Sequence, residues 1–464
     1  MGLVDATLLP FVTLVSILLT VAVLCLPSRY VPPTDQDKDK KGRVAVLVLG
    51  DIGRSPRMQY HAMSLASHGW GVDLIGYDES TPRPEIQSSP DIRIFPLPPP
   101  PPILATSSKA LFPIIAPFKV LFQLSALFYL LFYIIRAPSY ILIQNPPSIP
   151  TLIVSRIVAF LRNSRLVIDW HNFGYSILGI KLGDSHPLVK VAKWYETTFG
   201  NGAYANFTVT DKMKEVLRSD FGITTPIYPL HDRPPLHFRP FTTSERDSFL
   251  STHPLTADNF PSPSTKLLIS STSWTPDEDF SILLSALNQY ATAAAKSSRS
   301  SSKLPNILAI ITGKGALLPY YTPLIATLNS KSSHVTIRTS FLPAEEYPKL
   351  LACADLGVCL HTSSSGVDLP MKVVDMFGVG VPVAAVRFEA VGELVVDGKN
   401  GVVFDAGKED TKGDELGDVL VRLFGDSNEL EILKEGAMKE VERRWEGEWD
   451  TVAKGVFEGN AKPE

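Results

Sequence analysis

The stretch SSSGVDLPMKVVDMFGVGVPV, residues 363–383, has the features of a ligand-binding loop that leads into a helix and then into a buried strand. Gly366 lets the loop backbone come close to a bound group, and Pro370 suits the first turn of a helix. Asp368 precedes that turn and can cap it through a side-chain oxygen. Because the first amides of a helix have no partner within the helix, the stretch predicts a site for an anion such as a diphosphate.

Two acids of this stretch, Asp368 and Asp375, are seven residues apart, so they would share one face of the helix. We expect Asp375 to accept hydrogen bonds from sugar or ribose hydroxyls beside the phosphates. The alternative is that both acids only cap and solvate the helix. Lys372 in the first turn and the Gly-x-Gly-x-Pro sequence at the helix end favour the ligand site.

Length and composition favour two domains in a reducing compartment. The chain has 464 residues, of which 45% are hydrophobic, and a formal net charge of -4. That charge argues against a nucleic-acid partner, which would require a large basic surface. Three cysteines are too few for a disulfide scaffold. We therefore expect Cys25, Cys353 and Cys359 to be unreactive thiols.

Residues 1–30 predict a transmembrane anchor. No charged residue occurs from Ala6 to Leu26, a run just long enough to span a bilayer. A cleaved signal peptide is the alternative, but Asp5 precedes the run and no cleavage site of small residues follows it. The basic residues in and around the juxtamembrane linker 31–42 predict a cytosolic folded body. The Asn206 sequon would then stay unmodified.

Alternating strand and helix patterns in each half predict an α/β fold with two facing Rossmann-like, doubly wound domains. Apolar runs predict strands in the first half at 43–49, 70–77, 92–97, 140–144, 165–170 and 207–210, and in the second half at 266–272, 306–312, 334–340, 356–361, 382–386 and 401–405. Helices are predicted between several of them, as at Pro56–Ser67 and His186–Phe199.

We expect an N-terminal domain at 43–241, a Pro/Ser/Thr-rich linker at 242–264 and a C-terminal domain at 265–464. The apolar segment 111–135 could be a second membrane span, a buried crossover helix or a helix docked into the membrane surface. We favour the docked helix, because strands of one sheet flank the segment and it is rich in Leu, Phe and Tyr.

A glycine-containing turn ends the first predicted strand. Gly50 and Gly53 would let backbone amides approach a phosphate or sugar of the acceptor. Arg54 and Arg57 strengthen that interpretation, because a guanidinium can bind phosphate through two hydrogen bonds. The alternative is a tight turn that uses glycine only for its geometry.

The segment ITGKG, residues 311–315, ends a strand of the second half. Lys314 lies between Gly313 and Gly315 and is a flexible point charge suited to a diphosphate. A plain surface turn is the alternative. The segment is no Walker motif, because no Ser or Thr follows the lysine.

The segment DWHNFGYS, residues 169–176, follows another strand and contains the candidate base. His171 is that candidate, because the histidine side chain in general can exchange a proton near neutral pH, and Asp169 could orient its ring. A structural histidine is the alternative, with Asp169 or Glu196 as the base. Arg233 could add a positive charge to the acceptor site.

Two acidic clusters, DKD at 37–39 and DED at 277–279, are better explained as a charged linker and a helix start than as metal ligands. We therefore expect no obligatory metal.

Together these segments resemble the chitobiosyldiphosphodolichol β-mannosyltransferases, which add the first mannose to a lipid-linked oligosaccharide. The similarity lies in RVAVLVLGDIGRSPRMQYHA, IDWHNFGYSILG, HPLVKVAKWYE, SSTSWTPDEDFSILL, ITGKG and GVDLPMKVVDMFGVGVPVAA. The resemblance implies the GT-B arrangement, GDP-mannose as donor, dolichyl-diphosphate-linked chitobiose as acceptor, and β-1,4 transfer with inversion and without a cofactor. It also implies an endoplasmic reticulum membrane location, a cytosolic active site and other mannosyltransferases of the dolichol pathway as protein partners.

The chain departs from the pattern of such enzymes at the donor site. Relatives with this fold commonly hold the donor through a Glu-x7-Glu motif. Asp375 is at the second glutamate, but Val367 is at the first, so the first acid is displaced to Asp368 or lost. Trp274 lies where an arginine often occurs. Two alternatives therefore stay open: a GT-B transferase of lipid-linked sugars with another donor or acceptor, and a catalytically silent scaffold of the dolichol pathway.

Overall fold

The computed structural model describes residues 3–25, 32, 39–104, 112–260, 262, 264–275, 278–297, 303–406 and 414–460. The chain divides into two compact units. One comprises residues 1–169 and 195–205, and the other comprises residues 170–194 and 206–464. Because this division differs from the domain limits given above, those limits stay a prediction.

The N-terminal half forms a seven-stranded sheet. Its strands are β1 (Arg43–Asp51), β2 (Gly71–Tyr77), β3 (Ile92–Pro96), β4 (Tyr140–Asn145), β5 (Arg165–Trp170), β6 (Ala205–Thr208) and β7 (Ile227–Pro229). The order is β3-β2-β1-β4-β5-β6-β7, and β1 pairs in parallel with both β2 and β4. The chain therefore reverses its direction of winding at β1, as in a doubly wound fold. The sequence patterns predicted the first six of these strands and missed β7.

Eight helices accompany this sheet in the described part of the chain. They are α1 (Leu3–Cys25), α2 (Pro56–Ser67), α3 (Pro84–Ser88), α4 (Phe112–Tyr129), α5 (Thr151–Arg162), α6 (Gly174–Leu182), α7 (Pro187–Phe199) and α8 (Asp211–Ser219). A single π-helical turn, Leu130–Ile134, extends α4.

The C-terminal half forms a second, six-stranded sheet. Its strands are β8 (Thr265–Ser271), β9 (Asn306–Thr312), β10 (Val335–Ser340), β11 (Leu356–Cys359), β12 (Val383–Val386) and β13 (Gly401–Phe404). The order is β10-β9-β8-β11-β12-β13, and every neighbouring pair is parallel. Parallel strands buried on both faces explain why all six appear in the sequence as short apolar runs.

The helices of the second half lie between and after these strands. They are α9 (Thr243–Thr252), α10 (Phe280–Ser297), α11 (Leu318–Lys331), α12 (Tyr347–Leu351), α13 (Met371–Gly378), α14 (Leu416–Gly425), α15 (Ser427–Glu440), α16 (Trp445–Val452) and α17 (Lys454–Glu458). Alternate residues of the strands face two separate cores. Leu268 and Ile311 belong to the core that includes α10 and α14, whereas Ile269 and Ile310 belong to the core that includes α13.

The stretch predicted as a linker, 242–264, contains a helix. Thr242 and Glu245 form a capping box at the start of α9, and Leu250 is buried. A Thr-x-x-Glu sequence is the signature of such a cap. The Pro/Ser/Thr-rich composition therefore concealed a packed helix, and the role of the stretch as a linker stays a prediction.

Two apolar helices bear on the membrane predictions. In α1, the side chains of residues 10–22 are exposed. Within the described residues, one helical stretch, Ile115–Ile134, is long and apolar enough to cross a membrane by length and composition. Its C-terminal end is buried at Leu131 and Phe132, whereas Phe118 and Leu121 nearer its start are exposed. A helix with one end in the core suits surface docking better than a complete span.

Candidate active site

The polar loops at the carboxyl edge of the six-stranded sheet meet at one buried acid, Glu278. This carboxylate is 2% exposed. Its Oε2 accepts hydrogen bonds from Thr272 Oγ1 and, at 3.2 Å, from the Ser273 amide, while Lys372 Nζ donates to Oε1. Glu278 also forms a backbone bridge with His361. It thus joins the loop after β8, the residue after β11 and the first turn of α13.

Glu278 changes the interpretation of Lys372. We predicted that this ammonium would bind a diphosphate, and the structure pairs it with a buried carboxylate. Glu278 was assigned only to a helix start, yet α10 begins at Phe280. The signal was present, because an acid just after a strand end can lie at the ligand-binding edge of a parallel sheet.

Lys314 lies above the ring of Phe341, with Nζ 3.7 Å from the ring centroid. Among the residues that the structure describes, no carboxylate forms an ion pair with it. The flanking glycines have a packing function. A Cβ at Gly313 or Gly315 would lie 1.8 Å from the carbonyl oxygen of Thr272 or Ser273, respectively. The ITGKG turn is therefore held against the same loop that Glu278 holds, with Lys314 exposed beside it.

The loop before α13 differs from its prediction in two details. Pro370 is the N-cap of α13, not a member of its first turn, and it provides no side-chain cap. Asp368 does not cap the helix; it accepts a hydrogen bond from Ser363 Oγ and lies 3.8 Å from His361 Nε2. Gly366 has a φ of +76°, a conformation that favours glycine. Because the cap has no side-chain acceptor, the first amides of α13 are suited to an anion.

Asp375 is half-buried on α13. Burial raises the pKa of its carboxyl to about 7, and the negative charge of Asp232 adds to the shift. Near neutrality this group can therefore donate as well as accept a hydrogen bond. Since Asp368 lies outside the helix, the expectation that the two acids share a helix face was wrong.

The turn after β1, in the first unit, is organised by Asp51. Its Oδ1 accepts from the amides of Gly53 at 3.2 Å and Ser80 at 3.0 Å. A Cβ at Gly53 would lie 2.3 Å from the Ser80 carbonyl oxygen, whereas Gly50 has no such close contact with backbone. The Gly53 amide, predicted to approach a phosphate, is therefore engaged within the turn.

The two arginines of this region have different surroundings. Arg57 is 3% exposed and forms two 2.9 Å hydrogen bonds with Asp169. His61 Nε2 lies 3.2 Å from the same carboxylate. Arg54 is exposed, with Nε 3.4 Å from Asp51 Oδ2. Of the pair predicted to bind phosphate, only Arg54 is accessible, and Arg57 has a buried carboxylate partner instead.

The candidate bases also differ in setting. Asp169 is fully buried in the ion pair with Arg57. Glu196 is 1% exposed and accepts from Asn145 Nδ2 at 3.0 Å and from Ser148 Oγ. These contacts favour structural roles for both acids. His171 is half-buried and precedes Asn172, whose Nδ2 donates to Ser364 Oγ at 3.1 Å. The segment after β5 is thereby tied to the loop before α13 within the second unit.

Arg233, predicted at the acceptor site, is paired with Glu448. The distance from its Nε to Glu448 Oε2 is 3.3 Å. His231 Nδ1 lies 3.5 Å from the same carboxylate, and its Nε2 lies 3.2 Å from Glu393. Hydrogen bonds with Glu393 and then Glu448 raise the pKa of His231 to about 9, despite the opposing effect of burial. Arg233 thus belongs to a charged cluster that sequence reasoning did not predict.

The fold has two Rossmann-like sheets, and lysines and the start of α13 lie at the carboxyl edge of the second sheet. These features define a GT-B glycosyltransferase. A family model described as "Glycosyl transferases group 1" matches residues 268–426. A sucrose-phosphate synthase structure from Thermosynechococcus elongatus has a TM-score of 0.64 at 14% sequence identity, covering 90% of this chain and 98% of that chain. At that identity the likeness shows the fold alone.

The chain belongs to the chitobiosyldiphosphodolichol beta-mannosyltransferase family. It is 44% identical over 461 residues to the member from Arthroderma benhamiae, covering 96% of this chain and 98% of the relative. The member from Yarrowia lipolytica is 43% identical, with 91% and 88% covered. A relative from Arabidopsis thaliana named UDP-glycosyltransferase TURAN is 41% identical, with 89% and 97% covered.

Proposed function

We propose that this glycosyltransferase transfers mannose from GDP-mannose, in β-1,4 linkage, to dolichyl-diphosphate-linked chitobiose. Two relatives, matched over 98% and 88% of their own length, bear the name of that acceptor and that sugar. We place the reaction on the cytosolic face of the endoplasmic reticulum membrane. The basic flank of the apolar N-terminal segment supports that orientation.

The observation that supports the donor site is the attachment of two lysines and a helix start to one short loop. Residues 272–274 hold the Lys314 turn through carbonyl contacts and hold Lys372 through Glu278. Cleavage of a sugar–diphosphate bond leaves negative charge on the nucleotide, and preorganised cations and amides stabilise that charge. Lys314 and the start of α13 supply such groups.

Inversion would require one direct displacement, in which a base removes the proton of the attacking hydroxyl. We assign that base to His171. The rival acids Asp169 and Glu196 both have buried hydrogen-bond partners.

The test is transfer of radiolabelled GDP-mannose to phytanyl-diphosphate chitobiose by the purified full-length chain. We expect one labelled product, from which β-mannosidase releases the label. Absence of a product, or a product resistant to β-mannosidase, would contradict the proposal.

Substitution of Lys314 or Asp375 should reduce the stabilisation of the transition state. We expect Lys314→Ala and Asp375→Ala each to lower kcat/KM by the equivalent of about 2–4 kcal/mol of transition-state stabilisation. Lys314→Ala removes a charged contact with the developing anion, and Asp375→Ala removes hydrogen bonds with hydroxyls of the donor. Steady-state kinetics below saturating GDP-mannose measure this loss. Lys331→Ala, at the far end of α11, is the matched control and should behave as wild type. Wild-type kcat/KM in both site variants would sink the donor assignment.

A second candidate is transfer from a UDP-sugar. The name of the Arabidopsis relative favours it, because that protein matches this chain over nearly its whole length. Competition between unlabelled UDP-glucose, UDP-N-acetylglucosamine and GDP in the same assay separates the two. Inhibition by UDP-sugars at concentrations where GDP has no effect would favour the second candidate.

A further inference from the structure

We propose that residues 174–194, which comprise α6 and the first eight residues of α7 and are called the hairpin below, dock onto the surface of a bilayer that contains anionic lipids. The inference rests on the proposed function only in that the acceptor is linked to a lipid. The docking surface is distinct from the apolar N-terminal segment and from α4.

The hairpin exposes an unusual amount of apolar surface. Six large apolar side chains between 177 and 194 are at least 37% exposed: Ile177, Ile180, Leu182, Leu188, Val191 and Trp194. Trp194 is 59% exposed and Ile180 is 58% exposed. Single exposed apolar residues are ordinary, whereas six on two consecutive helices favour an interaction site.

The arrangement of residues on α7 is that of an interfacial helix. Leu188, Val191 and Trp194 are three residues apart, so they form one stripe along the helix. Val189 lies about 160° around the helix from Val191, at the centre of the stripe, and is buried at 4% exposure. Lys190 lies beside the stripe and is exposed. Lys193 is also exposed but lies on another face of the helix, with its Nζ 5.2 Å from the centroid of the Tyr175 ring. A helix with an apolar stripe, an exposed lysine at the margin of that stripe and Trp at one end of it suits the headgroup region of a membrane.

The charge of the hairpin complements an anionic surface. It contains Lys181, Lys190 and Lys193 but a single acid, Asp184, whereas the whole chain has a net charge of -4. Asp184 Oδ1 is folded back to within 2.4 Å of where a Cβ of Gly179 would be. Each lysine near an anionic membrane contributes about 1 kcal/mol to binding. A protein interface would more often exclude lysine from its apolar surface.

The hairpin is attached directly to the donor-side loop. Ser176, in the first turn of α6, lies 3.2 Å from Ser364 between the two Oγ atoms. Asn172, two residues before α6, donates to the same Ser364. A bilayer bound by the hairpin would therefore lie near the loop that precedes α13. Since a dolichyl diphosphate cannot leave the membrane, this attachment would present its headgroup to the enzyme.

The direct test measures how deeply the hairpin enters the bilayer. A fluorophore is attached to Val191→Cys in full-length Cys25→Ser protein; Cys353 and Cys359 are buried and do not compete. The matched control is Leu324→Cys on α11, which is 45% exposed. In vesicles with about 30 mol% phosphatidylserine, brominated lipids should quench the probe at 191 at least about threefold more than the probe at 324. Equal quenching at both sites would overturn the proposal.

Two sets of substitutions separate the apolar and basic contributions. Replacing Lys181, Lys190 and Lys193 together by Gln should remove the dependence of quenching on phosphatidylserine. Leu188→Ser, Val191→Ser and Trp194→Ser combined should lower kcat/KM for a bilayer-embedded dolichyl acceptor by at least about tenfold. The same triple variant should keep wild-type activity on a phytanyl acceptor in detergent.

A further control and a further outcome test whether the hairpin surface binds a bilayer. Tyr320→Ser with Leu324→Ser, two exposed residues of α11, is the control for loss of exposed apolar surface and should not change kcat/KM. Quenching at 191 that requires a second protein would assign the surface to that protein instead. Because the quenching measurement needs no transferase activity, it gives a result even if the proposed donor or acceptor is wrong.

Discussion

The guanidinium of Arg57 and the carboxylate of Asp169 form a buried ion pair between α2 and β5. Removing one partner of such a pair leaves an uncompensated charge, at a cost of about 3–5 kcal/mol. We therefore expect Arg57→Ala to lower the melting temperature strongly. Arg54→Ala should have a small effect, because Arg54 is 81% exposed. Thermal unfolding of the two purified variants measures this difference.

The same two variants distinguish structure from ligand binding. If Arg57→Ala melts like the wild type and loses affinity for a phosphate-containing acceptor, Arg57 is a ligand residue and the structural assignment is wrong. Arg54→Ala should instead lower the affinity for the acceptor while leaving the melting temperature unchanged.

His171 remains the candidate base. A positioned base contributes about 10²–10⁴-fold, so His171→Ala should lower turnover at least about a hundredfold. GDP-mannose affinity should change little, and the acidic limb of the pH–rate profile should flatten. Single-turnover rates across pH, with donor affinity from calorimetry, test both expectations. Near-normal turnover in His171→Ala together with inactive, folded Glu196→Gln would assign the base to the acid.

For individual residues, the sequence predicted which residue types are required better than it predicted their contact partners. The requirement for glycine at positions 313, 315 and 366 is evident in the structure. Arg54 and Arg57 look alike in the sequence, but only one is buried against Asp169. That carboxylate lies 112 positions away along the chain. Local spacing holds no information on such a contact, just as it gave none on the pairing of Glu278 with Lys372.

Among elements, the start of α8 is joined to the region after β12 through one carboxylate. Glu393 accepts from the amides of Asp211 and Lys212 at 2.8 and 2.9 Å, and it also contacts His231. Glu448 on α16 holds the other ring nitrogen of His231. Protonated His231 therefore links three elements of the second unit.

This cluster should make stability depend on pH in a defined direction. The pKa of His231 is raised from 6.5 to about 9 in the folded protein. A raised histidine pKa contributes stability that is complete below the unfolded pKa and is lost as pH rises through the folded value. We expect His231→Gln to lower the melting temperature most near pH 6, about half a unit below the unfolded pKa, and hardly at all above pH 10, about one unit above the folded pKa.

The control for this prediction is His253→Gln, which removes a histidine whose partner, Glu346, is largely exposed. At pH 6, His253→Gln should lower the melting temperature less than His231→Gln does. If His231→Gln lowers the melting temperature equally at both ends of the pH range, the ring is needed for packing and not for its charge.

Elements were predictable where packing and local pattern agree. The strands β1 to β6 and β8 to β13 are apolar runs, and α2 was predicted to the residue at Pro56–Ser67. The three-residue strand β7 is too short for a pattern. The start of α13 was displaced by one residue because Pro370 serves as cap. Trp445 and Trp449 are buried, and Trp449 stacks on Phe457.

For the whole molecule, the order of elements was sufficient to predict two Rossmann-like sheets. Alternation of parallel strands and crossover helices permits few topologies. The buried thiols were predicted as well: burial raises the pKa of Cys353 to about 12 and that of Cys359 to about 11. The limits of the domains could not be tested in this way. They depend on how residues distant in sequence pack, and the two compact units exchange short segments at 169–206.

The N-terminal segment should matter for access to substrate more than for the fold. The side chains at 10–22 are exposed along α1, so removing residues 1–30 takes away none of the buried core described here. We expect the truncated protein to keep activity on a short-chain acceptor in detergent, within about twofold. Activity on a dolichyl acceptor in membranes should fall by more than about tenfold, because binding to the bilayer concentrates enzyme and substrate on one surface. Replacing residues 3–25 by an unrelated apolar helix of the same length should restore the membrane activity. If truncation lowers both activities equally and lowers the melting temperature, the segment contributes to folding, and its assignment as an anchor is wrong.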